Sequence, residues 1–264
     1  LRHVFELALT VGRTAEKHDV KYPAAALAYY AFVSQIPLLI LVVAVVSDRL
    51  VMRIQDITPD FLTPEAQQLL SEALVTASGR AGAALLGISV LAWSGANIVI
   101  GFQTVVNRVE RTPRESLRTQ LRGASSILGS FGLVIIAVIL SSLLFALLPI
   151  GPPLSYSEPF VQFGLLTVAF LPLYYAPSRV VTSLRGALPG ALTAAVGWTV
   201  LLTGVRFYAD NAAQYALYGV LSGIIIILTS FYLGAIILMI GAIMNTVIAD
   251  GTDVDGSSRR DRRQ

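Results

Sequence analysis

The sequence predicts an all-α integral membrane protein. The expected architecture is a bundle of six transmembrane helices with both termini cytoplasmic and an amphipathic helix outside the membrane between spans one and two. Three observations lead there. Six stretches carry no charged residue: 22–47, 81–107, 123–157, 159–178, 186–205 and 211–249. Each reaches the ~20 residues a helix needs to cross a ~30 Å hydrocarbon core. Only 13% of residues are charged, about half the fraction typical of soluble domains. The basic residues also fall between the runs with a strong side bias.

That bias sets the topology. Arg2, Arg13, Lys17 and Lys21 precede the first run, and Arg108, Arg111, Arg114, Arg118 and Arg122 follow the second. Arg179 and Arg185 follow the fourth, and Arg259, Arg260, Arg262 and Arg263 lie in the tail. Six crossings put these fifteen on one side and leave only Arg49, Arg53, Arg80 and Arg206 on the other. Cytoplasmic segments collect Lys and Arg, so the fifteen are placed inside. The spans are expected at about residues 24–47, 82–106, 124–148, 160–177, 186–206 and 219–247, within one domain covering 1–249. Pro159, Pro172 and Pro177 interrupt the fourth. If it did not cross, ten basic residues would lie inside and nine outside, and the bias would vanish. The charge pattern therefore argues for that crossing independently of hydropathy. Splitting the final run into two crossings is a lesser alternative, because its 39 residues leave little for a turn.

Among the remaining elements, Val4, Phe5, Ala8, Leu9 and Gly12 recur at helical spacing, compatible with a short interfacial helix or with a plain polar lead-in. The first 23 residues are too polar for a signal peptide. Thr63-Pro64-Glu65 has the order of an N-cap, a first-position proline and a first-turn acid. Leu69, Leu70, Ala73, Leu74 and Ala77 then follow at three- and four-residue spacing, predicting an amphipathic helix over 64–77. It either packs on the bundle or lipid surface or covers a substrate path. The connection 108–122 is basic enough to contact anionic lipid headgroups. The tail 250–264 is polar and poor in apolar residues, so disorder is expected there.

No Asp, Glu, Lys, Arg or His lies within the core of any expected span. Buried charges usually mark ion or proton paths, so a carboxylate relay or a carboxylate-lined cation site is not available. The paired acids or His clusters of hydrolytic chemistry are absent too. No cysteine is present, and His3 and His18 are both N-terminal, so no metal site or cofactor is expected. What the spans hold is neutral: Tyr29, Tyr30, Ser34, Gln35 and Pro37 in the first, and Trp93, Asn97 and Gln103 in the second. Tyr174 and Tyr175 lie in the fourth and Asn245 ends the sixth. An amide facing lipid would leave hydrogen bonds unmet, so Gln35 and Asn97 are expected to face the bundle interior. These residues form the candidate polar interior, either as helix-to-helix glue or as the lining of a cavity. Trp93 and Trp198, central in their spans, suggest a packed interior or a cavity wall. Gly186 and Gly190, Gly219 and Gly223, and Gly234 and Gly241 permit close helix contact within the bundle; dimerisation is compatible with them but not required.

These residues carry a resemblance. The stretch 24–39, AAALAYYAFVSQIPLL, resembles the opening span of the YihY / virulence factor BrkB family of membrane proteins. Trp93-Ser94 followed by Gln103, Asn107 and Arg108 is similar to its second span. Tyr174-Tyr175-Ala176-Pro177 and then Arg185-Gly186-Ala187-Leu188-Pro189-Gly190-Ala191 are similar to its fourth-to-fifth connection. Tyr208, Tyr215, Tyr218-Gly219 and Gly241-Ala242-Ile243-Met244-Asn245 complete the match over residues 20–248. Ile243 stands where the family often has Glu, so no role for that carboxylate carries over. The resemblance implies a multi-pass protein of the inner or plasma membrane and leaves the activity open. A ribonuclease label used within the family is disfavoured, since RNA cannot reach the spans.

The expected function is transport of a lipid or another amphipathic or uncharged solute, with Arg179 and Arg185 meeting anionic headgroups at the inner face and Arg206 at the outer. The alternative is a non-transporting scaffold or envelope-integrity protein. Partners are the bilayer and its anionic headgroups, with no nucleic acid.

Overall fold

The computed structural model describes residues 2–35, 37–38, 77–110, 117–147, 158–211 and 219–261. Within them the chain forms helices α1 (Arg2–Lys17), α2 (Lys21–Val33), α3 (Ala77–Val109), α4 (Leu117–Leu147), α5 (Glu158–Tyr175), α6 (Leu184–Asp210) and α7 (Gly219–Asp261). Four segments are long and apolar enough to cross a membrane: Ala84–Val109, Leu121–Leu144, Leu184–Asp210 and Ser222–Ala249. Pro159–Tyr175 is apolar but shorter. The 64–77 helix and most of the second half of the first expected span lie outside the described residues.

The helices α2 to α7 pack as a ring in chain order, α2 on α3, α3 on α4 and so on, with α7 closing against α2 and also touching α3. Helix α1 lies against α7. Phe102, Ile127, Leu166, Phe170, Leu173, Met239 and Ile243 fill the interior and are fully buried. On α3 the buried face is Val99, Phe102, Val106 and Val109, at helical spacing. On α6 it consists of Ala187, Gly190, Ala191, Ala194 and Ala195, small residues that let α7 approach closely. The outer face is as apolar as the core: Leu85, Leu86, Ile135, Ile136, Ile139, Val200, Phe207 and Ile225 are all exposed. In water so much exposed apolar surface would drive association, whereas a bilayer solvates it.

Several helix ends follow from local chemistry. Helix α1 closes with a Schellman motif: Val20 N–H donates to the Ala15 carbonyl (3.2 Å) and Asp19 N–H to that of Glu16 (3.0 Å). Asp19 takes the left-handed conformation (φ 51°) usually left to glycine. Helix α6 opens on Ser183, whose extended backbone and hydroxyl, accepting from Gly186 N–H at 3.2 Å, form an N-cap. Pro172 sits inside α5, and its carbonyl accepts from both Ala176 N–H (3.1 Å) and the Ser126 hydroxyl (2.8 Å). The kink-prone segment is thereby tied to α4.

One expectation requires correction. The N-terminal helix is longer than 4–12 and spans Arg2–Lys17, because Thr10 and Thr14 turn their hydroxyls back onto the helix one turn before and carry its polar face onward. Helix α7 extends to Asp261, through a segment without proline in which every residue retains its N–H.

Candidate functional site

Four chain segments meet at one end of the bundle. The Arg108 guanidinium reaches to 3.5 Å from the His18 carbonyl, tying the end of α3 to the α1–α2 turn. Gly123 at the start of α4 lies so close to Pro177 that a Cβ there would stand 3.6 Å from the Pro177 Cα. Glu110 closes the gap between α3 and the α5–α6 turn: its Oε1 accepts from the Ser178 hydroxyl and its Oε2 accepts from Arg179 N–H at 3.0 Å. Ser178 Oγ in turn accepts from Val181 N–H at 3.0 Å. A carboxylate at a helix C-terminus opposes the helix dipole, and these donors offset that cost.

Just inside lies a small cleft of about 10 Å³, lined by Val106, Glu110, Tyr174, Pro177, Ala242 and Asn245 among others. That is about the space of one water molecule. Tyr174 and Asn245 are both buried. The Tyr174 hydroxyl donates to the Leu238 carbonyl at 2.9 Å, and Phe102 lies 6.3 Å from its ring. Asn245 Oδ1 accepts from Gly190 N–H at 2.6 Å, while its Nδ2 faces the Ala187 carbonyl at 3.5 Å. Pro189 has no N–H to donate within α6, so the ladder is already thinned where Asn245 enters it. The backbones of α6 and α7 touch here: a Cβ on Gly190 would collide with the Gly241 carbonyl, and one on Gly241 with the Tyr174 hydroxyl.

Of the candidate polar residues, Tyr174 and Asn245 share this cleft, with Tyr175 half-buried beside it. Gln103 points its Nε2 at the Gly123 backbone on the α3–α4 side. The first-span residues lie apart. Tyr29 is exposed, Ser34 bonds back to the Ala31 carbonyl at 2.7 Å, and Pro37 is buried. Gln35 is exposed and Asn97 half-buried, and neither amide needs the interior. Asn97 donates to the Trp93 carbonyl at 2.7 Å, and Gln35 lies 3.5 Å from that of Ala31, each one turn back. Tyr30 links α2 to α3 by accepting the Ser94 hydroxyl on its carbonyl at 2.6 Å. Trp198 is packed as expected, edge-on to Phe170 at 5.8 Å between ring centres. Trp93 is not: it is 53% exposed, with its ring against Tyr30 at 5.4 Å.

Arg179 and Arg185 are exposed at the cleft end, and Arg206 is half-buried on α6, 21 residues beyond Arg185. At 1.5 Å per residue that separation is ~32 Å, close to the hydrocarbon thickness. The glycine pairs divide: Gly190, Gly234 and Gly241 make close contacts, whereas Gly223 has open space.

Sequence reasoning missed two residues. Glu110 was one connection acid among several; the clue was a turn after Pro177 whose N–H groups needed an acceptor. Gln162 is buried in α5, and neither its Nε2 nor the Ser130 hydroxyl on α4 has a hydrogen-bond partner among the described residues. An amide inside an otherwise apolar run was the available signal. At the other end of the bundle, Tyr208, Ser222, Ile225, Ile226 and Thr229 line an apolar groove of about 290 Å³ between α6 and α7, and the Tyr208 and Ser222 hydroxyls touch. Among the described residues, no group of three or more His, Asp or Glu could hold a metal.

Residues 11–264 match the family model described as Virulence factor BrkB. The chain is 27% identical over 251 residues to a UPF0761 membrane protein of Psychromonas ingrahamii (strain DSM 17664 / CCUG 51855 / 37), covering 90% of this chain and 86% of that one. It is 26% identical to a UPF0761 membrane protein of Alkalilimnicola ehrlichii (strain ATCC BAA-1101 / DSM 17681 / MLHE-1), covering 94% of this chain and 59% of that one. A shorter match, 36% identical over 84 residues, covers 31% of this chain and 30% of YfkH of Bacillus subtilis (strain 168), whose name describes it as ribonuclease-like. No solved structure matches.

Proposed function

The chain belongs to the virulence factor BrkB family, and from that premise we propose that it is a multi-pass plasma-membrane protein of transport type, acting on a lipid or another amphipathic or uncharged solute. One observation carries this reading. Two recesses lie toward opposite ends of the bundle and share α7, and between them α6 and α7 are sealed by small residues. Their linings are hydroxyls, an amide and apolar side chains, with Glu110, at the rim, the one carboxylate among the lining residues. Such a surface can solvate a neutral polar group or an acyl chain, whereas an inorganic ion would lose its hydration with little in return. The direct test is reconstitution into liposomes with headgroup-labelled lipids. Quenching of label beyond the outer-leaflet fraction is the expected result; no movement above empty liposomes across lipid classes would sink the idea.

A second reading, a non-transporting scaffold, draws on the same polar groups. Ser94, Ser126, Tyr174 and Asn245 are each committed to a backbone partner on another helix, as interhelical glue would be. The ribonuclease-like name of the Bacillus relative belongs to that protein, and no residue here is assigned a catalytic role.

The topology belongs to the proposal too: six crossings, with the end that carries Glu110, Arg179 and Arg185 facing the cytoplasm. The cysteine-free sequence makes it simple to test. Ser116→Cys and Ser257→Cys should react with an impermeant maleimide only after cells are opened, and Ser71→Cys in intact cells. Labelling of Ser257→Cys in intact cells would overturn the orientation.

A further inference from the structure

A groove of about 190 Å³ lies where the α1–α2 turn meets α7, lined by Ala15, Glu16, Asp19, Val20, Lys21, Ile236 and Ile240. We propose that it binds the headgroup and upper acyl chain of a zwitterionic aminophospholipid. The ammonium would be held by Glu16 and Asp19, the phosphate by Lys21, and the chain by Ile240 and Ile236.

Charge and depth argue for that occupant. Glu16 and Asp19 flank the C-terminal end of α1, where the helix dipole is negative, so the two carboxylates and the dipole together attract one cation. Arg108 approaches the His18 carbonyl in this turn, but among the described residues no ion pair involves Glu16, Asp19 or Lys21. Lys21 opens α2 and stands 5.1 Å from the Tyr22 ring centre, a positive charge beside the negative pair. One anionic and one cationic subsite in the same groove complement a lipid with an ammonium and a phosphate, and suit neither a purely anionic nor a neutral headgroup.

The polar end of the groove sits where the charge-free run begins. Lys21 is the last charge before the 22–47 run, and Tyr22, 66% exposed, has the amphipathic character of interfacial aromatics. Phe5 and Leu9 on α1 are exposed apolar side chains on a helix seated through Val11 against the bundle, as an in-plane surface helix requires. Ile240 and Ile236 lie one turn apart along α7 inside the span Ser222–Ala249, a path for a chain leading away from the polar end. Asp19 occupies a left-handed position that glycine would fill at lower conformational cost, so the backbone does not require the carboxylate.

The inference rests on the membrane embedding of these helices and not on movement of any solute. It is therefore tested by binding alone, with the full-length protein in nanodiscs and spin-labelled phosphatidylethanolamine, phosphatidylcholine and phosphatidylglycerol. The protein should immobilise a larger fraction of phosphatidylethanolamine than of either other lipid. Glu16→Gln with Asp19→Asn should remove most of that excess, as should Asp19→Gly, which suits the left-handed backbone. Lys21→Gln should reduce it, and Phe5→Ala, outside the groove, should leave the order of preference unchanged. Equal immobilisation of phosphatidylethanolamine and phosphatidylcholine, a preference for phosphatidylglycerol, or an excess that survives the triple Glu16→Gln/Asp19→Asn/Lys21→Gln variant would overturn the site. Loss of lipid movement in liposomes with this preference intact would count against the transport reading and leave the site standing.

Discussion

Alanine at Gly190 is expected to destabilise the bundle by about 3 kcal/mol, the sum of an overpacking strain and a lost buried hydrogen bond. Helix propensity works the other way, since Gly→Ala in a helix gains about 1 kcal/mol. The clash decides the sign. The new Cβ would meet the Gly241 carbonyl, a backbone atom that cannot swing aside, and would stand 2.6 Å from Asn245 Nδ2. Relief requires α6 and α7 to separate, which breaks the Gly190 N–H bond to Asn245. Gly164→Ala is the matched control, because a Cβ there meets nothing within 4 Å, and it should be neutral or slightly stabilising. Titration with a denaturing detergent, followed by helicity, separates the two. Equal stability of both variants would show that the α6–α7 contact does not hold the fold.

Removing the Glu110 carboxylate should free the turn between α5 and α6. Glu110→Ala loses a charge-assisted bond from Ser178 and one from Arg179 N–H. Such bonds contribute about 1.5–3 kcal/mol when well shielded, and the partial exposure here puts the expected loss near the lower figure. Ser178→Ala removes one of the two and should fall between wild type and Glu110→Ala. Because Arg179 and Arg185 flank this turn, trypsin supplies a local readout. Cleavage there should be faster in Glu110→Ala, with little change elsewhere. An unchanged digestion pattern would mean that the carboxylate does not restrain the turn. Glu110→Gln keeps one acceptor oxygen without charge, so it should recover part of the protection.

The sequence was informative wherever a property depends on the chain's local chemistry. Charge-free runs predict helices of membrane-spanning length, and four such segments appear in the described residues. The resemblance over residues 20–248 agrees with a family match over 11–264. The small-residue spacing at Gly190 and Gly241 also reflects real helix contact, though a Cβ on Gly223, with the same spacing logic, would meet nothing within 4 Å among the described residues.

Facing was much less legible. Gln35 and Asn97 were assigned to the interior on the premise that an amide cannot meet its hydrogen bonds in lipid, but backbone carbonyls one turn earlier are within reach of both. Trp93, central in its span, suggests a packed interior or a cavity wall, but it is 53% exposed with its ring against Tyr30. Glu110, outside the spans and without a metal-site neighbour, looked unremarkable until the α5–α6 turn was placed beside it.

The sequence by itself determined that this chain is a helical membrane protein of the BrkB family, because run length, charge placement and ordered motifs are properties of one strand of residues. Only the tertiary structure decided that Tyr174, Asn245, Gly190 and Glu110 converge at one end of the bundle and that the groove beside α1 gathers Glu16, Asp19 and Lys21. The reason is the solvent. In water, apolar residues mark the buried face of a helix, but a bilayer is as apolar as the core. With that contrast gone, the pattern along each span no longer says which side looks inward, and the choice falls to small-residue contacts and hydrogen bonds between helices distant in sequence.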